Sequence, residues 1–239
     1  MEHISLPPVI EQPVLTASLQ LNPEAIDRRL VSEKNLSYYD LQALEGDVID
    51  VAEPHWWDLA DLADSQGKQP HADITAELGS FDFWLIRFAL SAVPVGDNVI
   101  TWMRFIAKLQ SPDSQPYPQV HSVFPFRTDS NHRIRVGPDF HFASEILDDD
   151  AIAEIEVTAD EGIKVSGIVV RPAKAMWDVR GYDIRTAFET YAVVKKGKQS
   201  RLKVEFAFNV QIKTVQGQLA ASARPSASQS QIGGMTYVF

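Results

Sequence analysis

Six histidines, at positions 3, 55, 71, 121, 132 and 141, are the side chains of this sequence best suited to proton transfer or metal binding. None belongs to a His-Glu-x-x-His motif or to a pair spaced for one helical face. His121 and His141 fall in strand-like stretches beside aromatic residues, the usual setting of partly buried histidines hydrogen-bonded to backbone. No Gly-x-Ser-x-Gly turn presents a serine nucleophile. Cysteine is absent, which excludes disulfides, thiolate metal sites, iron–sulfur clusters and a cysteine nucleophile together.

Asp148-Asp149-Asp150, with Asp139 and Glu145 nearby, is the one carboxylate cluster dense enough for a hard cation such as Ca²⁺. It lacks the alternating ligands and the glycine turn of a calcium loop, and adjacent carboxylates splay into water, so the expectation is a solvated loop or helix cap. Gly197-Lys198-Gln199-Ser200 resembles the end of a phosphate loop only superficially, because the upstream glycine is missing. The sequence therefore assigns no catalytic residue, no cofactor and no metal. Lys195, Lys196, Lys198, Arg201 and Lys203 form the one plausible anion-facing group.

The elements that position these residues follow from periodicity. Hydrophobic residues make up 45% and charged residues 23%, ordinary values for a packed fold. From Phe81 onward apolar residues recur at period two, which predicts antiparallel strands with one greasy face. With Gly96-Asp97 as a two-residue turn, opposed residues have numbers summing to 193, pairing Trp84 with Leu109, Ile86 with Ala107 and Phe88 with Phe105. A second hairpin is expected around Gly197-Lys198, pairing Val193 with Leu202, Tyr191 with Val204 and Ala187 with Phe208, and a third joins Ile152 to Thr158 with Ile163 to Arg171. Single-faced hairpins must bury that face, so the expected fold is mainly β: an antiparallel two-sheet β-sandwich, with a β-barrel as the alternative and a small N-terminal helical layer.

Three segments are expected. Residues 1–80 form an extended arm and short helices packed on the core, with helix signals at Asn22–Asn35, Ser37–Gly46 and Pro54–Gly67. Residues 81–216 form the sandwich. Residues 217–239 form a flexible linker and a strand-like tail, which adds to its own sheet edge or to a neighbour's.

The formal charge of −10 opposes a phosphate backbone, but its distribution is uneven. Residues 1–80 carry 4 basic and 15 acidic groups, residues 81–150 carry 6 and 9, and residues 151–239 carry 12 and 8. An acidic front and a mildly basic back suggest contact between the two, within one chain or between neighbours. The start of the chain lacks a secretion signal and no apolar run spans a membrane, so a soluble, cytoplasmic protein is expected.

These features favour a non-enzymatic protein-binding or self-assembly module that uses terminal arms and sheet edges. Tyr237, Val238, Phe239, Lys195, Lys196 and Lys198 are its candidate contact residues, with a homo-oligomer or protein partner. Nucleic acid is disfavoured by the charge. The alternatives are a pore-forming effector that opens a β-hairpin into lipid, and a hydrolase or lectin-like enzyme with an unidentified site.

Overall fold

The computed structural model describes residues 4–5, 14–18, 20–21, 48–52, 54–94, 96–111, 117–127, 135–143, 154–158, 163–184, 187–198, 200–214, 217–223, 229–232 and 235–238. The chain begins with β1 (Ile4–Ser5), β2 (Val14–Ser18), β3 (Gln20–Leu21), β4 (Val48–Ala52) and β5 (His55–Asp58), then α1 (Leu59–Ser65) and α2 (Ala72–Glu77). The long strands β6 (Phe81–Val93), β7 (Val99–Gln110) and β8 (Gln119–Arg127) precede two short ones, β9 (Arg135–Val136) and β10 (Phe142–Ala143). Then come β11 (Glu154–Thr158), β12 (Lys164–Arg171), β13 (Lys174–Arg180), β14 (Ala187–Gly197) and β15 (Leu202–Thr214). The chain closes with β16 (Gly217–Ala223), β17 (Gln229–Ile232) and β18 (Met235–Val238).

Two large sheets face each other. One runs β2-β4-β6-β14-β8 with β5 added on β6; the other runs β11-β12-β13-β7-β15-β16-β3, with β18 also on β15 and β17 on β18. A small sheet, β1-β9-β10, lies outside the first. Among the described strands neither large sheet closes on itself, and the fold is the expected two-sheet sandwich rather than a barrel.

The hairpin expectation needs correction. Strands β6 and β7 do not pair: β6 bonds to β4, β5 and β14, while β7 lies in the opposite sheet between β13 and β15. After the turn, where Gly96 takes a φ of +59°, the chain crosses from one sheet to the other. Phe88 and Phe105, expected side by side, instead meet edge to face across the gap with centroids 5.5 Å apart. Period-two alternation fixes which face is buried, and it is equally satisfied by a ladder partner or by a partner facing across the core.

The Gly197-Lys198 turn behaves the same way, since β14 and β15 also lie in different sheets. Here the expected inward face changes too. Phe188, Ala192 and Val194 enter the core between the sheets, whereas Tyr191 and Val193 face outward onto a second core. Strand β14 is central and covered on both sides, so its sequence carries no clean alternation. The third expected hairpin is present: β11 and β12 pair antiparallel from Glu154 opposite Ile168 to Thr158 opposite Lys164.

The second core explains the helical layer. Leu59, Ala63 and Ile74 from α1 and α2 pack with Phe83 and Leu85 of β6, Tyr191 and Val193 of β14, and Ile4, Val136 and Phe140 of the small-sheet region. The helix expected over Pro54–Gly67 is half strand. Trp56 and Trp57 cannot share a helical face with one core, and as neighbours in β5 they point opposite ways, Trp56 stacking on Trp84 at 4.2 Å and Trp57 joining the outer core. Asp58 caps α1, its carboxylate accepting from the backbone N–H of Ala60 at 2.9 Å. The helix signals at 22–35 and 37–46 lie outside the described residues.

The C-terminal segment expected as a linker contains β16, antiparallel to β15 from Phe208 opposite Ala223 to Thr214 opposite Gly217. Strand β18 runs parallel to β15, with Leu202 opposite Met235 and Glu205 opposite Val238, so the strand-like end lies on its own sheet. A sequence rich in small polar residues resembles a linker, yet it still supplies backbone donors and acceptors to an edge.

Phe105 lies at the centre of the sandwich, stacked on Trp177 at 5.1 Å and Phe208 at 5.2 Å. Phe105→Ala is expected to lower unfolding free energy by about 3–5 kcal/mol, as for other large-to-small core changes. Trp102→Ala, on the outer face of the same strand, is expected to cost about 1 kcal/mol or less. Urea titration distinguishes them, and equal losses would contradict this face assignment.

Candidate functional site

Two surfaces merit attention, one on each outer side of the sandwich. The first is a cleft of about 330 Å³ on the helical side, lined among others by His71, Glu77, His121, Asp139, His141 and Lys195. Strand β8 supplies His121, β14 supplies Lys195, and the five-residue loop joining β9 to β10 carries Asp139 and His141. Two backbone hydrogen bonds within the loop and one from outside hold it. Gly137 N–H donates to the His141 carbonyl at 2.8 Å, Phe140 N–H to the Gly137 carbonyl at 3.0 Å, and His71 N–H to the Pro138 carbonyl at 2.7 Å.

Phe140 adopts a φ of +60°, costly for a bulky residue, and its ring is fully buried against Phe83. Burial of the ring opposes the strain. A Cβ at position 137 would lie 2.8 Å from an Asp139 carboxylate oxygen, so a larger residue there would displace the Asp139 side chain. The loop thus holds Asp139 and His141 where a relaxed turn would not.

The hydrogen bonds fix the neutral tautomers. His121 Nε2 donates to the Asp139 carbonyl at 2.9 Å, which leaves the lone pair on Nδ1. His141 Nδ1 sits 3.2 Å from that same carbonyl and 3.3 Å from the Asp139 carboxylate, so its lone pair is on Nε2. The two rings are 4.2 Å apart. His121 titrates below the ordinary histidine value, chiefly because burial disfavours the imidazolium; the Asp139 carbonyl pulls it up and His141 pushes it down. Lys195 pairs with Glu77 at 2.7 Å, and its ammonium sits 4.2 Å from the centre of the Phe81 ring. Among the described residues no group of three or more histidines or carboxylates could hold a metal ion.

The second surface is the outer face of β12, β13, β7 and β15, which no helix covers among the described residues. Its side chains include Arg104, Lys108, Lys174, Arg180, Lys203 and Lys213, against two carboxylates, Asp178 and Glu205. Arg104 forks onto Asp178 at 2.7 and 2.8 Å and lies over the Trp102 ring at 5.1 Å. Glu205 lies 3.1 Å from Lys203 and 3.5 Å from Lys108. Lys174 stands directly opposite Lys108, a like-charge pairing that destabilises the ladder. Between these charges runs an apolar row of adjacent residues, Ile168, Met176, Ile106 and Ala207, all half-buried.

The candidate contact residues are dispersed. Lys195 lines the cleft. Lys196, only 4% exposed, is paired with Asp82 at 2.8 Å beneath Trp84 and presents no free surface. Lys198 is exposed at the turn after β14. Tyr237 and Val238 belong to β18. Phe239, His3, His132, Glu145 and Asp148-Asp149-Asp150 lie outside the described residues.

An unfolded His121 takes a proton near pH 6.5 and the folded one only at lower pH, so its contribution to stability is complete above about 6.5. That contribution is lost as pH falls through the folded value. His121→Gln, which keeps the donor to Asp139, is expected to flatten this acid-side loss in urea titrations between about pH 5 and 8, leaving the parallel contribution of His55. Identical pH slopes for the two proteins would contradict it. No family model matches this chain, and no curated protein matches it.

Proposed function

We propose that this chain is a non-enzymatic protein-binding and assembly module whose contact surface is the basic face of the nine-stranded sheet, which no described helix covers. The observation that carries this reading is the charge of that face. Among the described side chains six cations stand against two carboxylates on that face, in a chain whose formal charge is −10. The terminal strands, the other natural contact points, are engaged with their own sheets through β2 on β4 and β18 on β15. Contact through the broad face is favoured over contact through the ends.

A protein partner fits this face better than a nucleic acid. Asp178 and Glu205 are fixed among the cations and would repel a phosphate backbone, and the row Ile168, Met176, Ile106 and Ala207 needs an apolar counterpart. In fluorescence anisotropy at low salt, a labelled glutamate-rich peptide is expected to bind. Lys174→Gln with Arg180→Gln and Lys203→Gln is expected to weaken it at least about fivefold, as loss of three attractive charges implies. Tighter binding of a single-stranded oligonucleotide of equal charge would move the reading to nucleic acid, and binding of neither would end it.

A second reading rests on the cleft, where His121 and His141 meet with Asp139 and Lys195 beside them. A neutral imidazole with a fixed tautomer is suited to accept a proton, which is the chemistry of a hydrolase. Hydrolysis of an activated ester that falls to background in His121→Gln, and is unchanged in the triple face variant, would favour it. Equal rates in all three proteins would remove it.

A further inference from the structure

The two outer sides of the sandwich carry opposite charge, and they are the two ends of one three-layer body. On the helical side the described residues include Asp50, Asp58, Asp61, Asp64, Asp73, Glu77 and Asp139, against Lys68 and Lys195, while Arg87 and Glu189 pair with each other. The carboxylate excess among the described residues there is opposite in sign to the cation excess of the basic face. Asp61, Asp64, Asp73 and Asp139 are exposed, as are Lys108, Arg180 and Lys213 opposite. Between the two sides lie the helical layer, the six-stranded sheet and the nine-stranded sheet, so no chain can bring its own faces together.

Resting on the reading of the basic face as a contact surface, we infer that its partner is the acidic helical side of a second copy of this chain, giving a head-to-tail stack. Such a contact is heterologous: each copy uses two different surfaces, and each joined pair still exposes one of each. Assembly is therefore open-ended unless the rotation between copies closes a ring. Charge complementarity selects this arrangement over a symmetric dimer, in which the basic face would meet itself and six cations would oppose six.

The size of the face sets the strength. Four strands about 4.8 Å apart and seven residues at about 3.4 Å give a patch of roughly 450 Å². A stable interface uses about 800 Å² on each partner, so the contact is weak and salt-sensitive. The row Ile168, Met176, Ile106 and Ala207 supplies an apolar centre with charge around it.

Sedimentation velocity on the full chain tests this. At roughly 100 µM protein the sedimentation coefficient is expected to rise with concentration in about 20 mM salt and to fall to the monomer value in about 500 mM. Lys174→Gln with Arg180→Gln removes cations from one side, and Asp61→Asn with Asp64→Asn removes carboxylates from the other. Each variant alone is expected to be monomeric at low salt. Mixed in equal amounts they are expected to form a one-to-one pair and nothing larger, because each keeps the surface the other has lost. Circular dichroism checks that both fold, and Lys213→Gln with Arg180→Gln replaces the first variant if Lys174 is needed for folding. Association sensitive only to the basic-face variant, with no rescue on mixing, would overturn head-to-tail stacking, as would association that neither variant alters. A monomer under all conditions that still binds the glutamate-rich peptide through its basic face would remove the second copy as partner and leave the contact surface standing. A monomer that does not bind the peptide would remove both.

Discussion

The contact of Phe88 with Phe105 across the space between the sheets is the constraint from which the rest of the structure follows. These residues belong to strands adjacent in sequence, and they face each other instead of pairing. Once they do, Trp177 and Phe208 must stack on either side of Phe105, which seats β13 and β15 beside β7. Trp177 also donates its indole N–H to the carbonyl of Phe124 on the opposite sheet at 3.1 Å, satisfying its only polar group and joining the layers. From Trp102 onward the even-numbered residues of β7 are then turned outward, and they carry Trp102, Arg104 and Lys108 to the face that no described helix covers.

The faces of the strands were legible in the sequence, and the ladders were not. Alternation in Phe81–Gln110 identified the inward side chains from Trp84 to Ala92 and from Met103 to Leu109, but Phe83 and Leu85, on the face expected to be wet, are fully buried in the outer core. It could not distinguish a turn that folds a strand back beside its predecessor from one that carries it to another sheet, since Gly96 at positive φ suits both. In β14 even the face was hidden. Tyr191 and Val193 are as apolar as Phe188 and Val194, and a strand covered on both sides gives no polar signal. Glu189, on the same face of β14 as Tyr191 and Val193, is partnered by Arg87 and by the Tyr191 hydroxyl.

The same difference in legibility applies to the two surfaces. The acidic front and basic back were visible as counts along the chain, but their placement on opposite sides required the fold. Lys195 and Lys196, adjacent in sequence and grouped as one basic patch, end on opposite faces of β14, one in the cleft and one buried on Asp82. The cleft depends on a loop whose key residue, Phe140, has the wrong side chain for its backbone angle. Local propensity points away from such a conformation, and only the burial of its ring in the outer core makes it tenable.

Crossing between the sheets after β6 and again after β14 also decides when the chain can begin to fold. The partners of β6 in its ladder include Lys195 opposite Phe83 and Ala187 opposite Ser91, roughly a hundred residues later in the chain. At synthesis rates of about 5–20 residues per second, β6 waits on the order of 5–20 s for that neighbour. Throughout that interval a thirteen-residue strand, apolar on both faces near Phe83–Ile86, has one edge unpaired. The crossing that places β6 and β7 in different sheets thus leaves the nascent strand with an apolar, unpaired edge until β14 has been made.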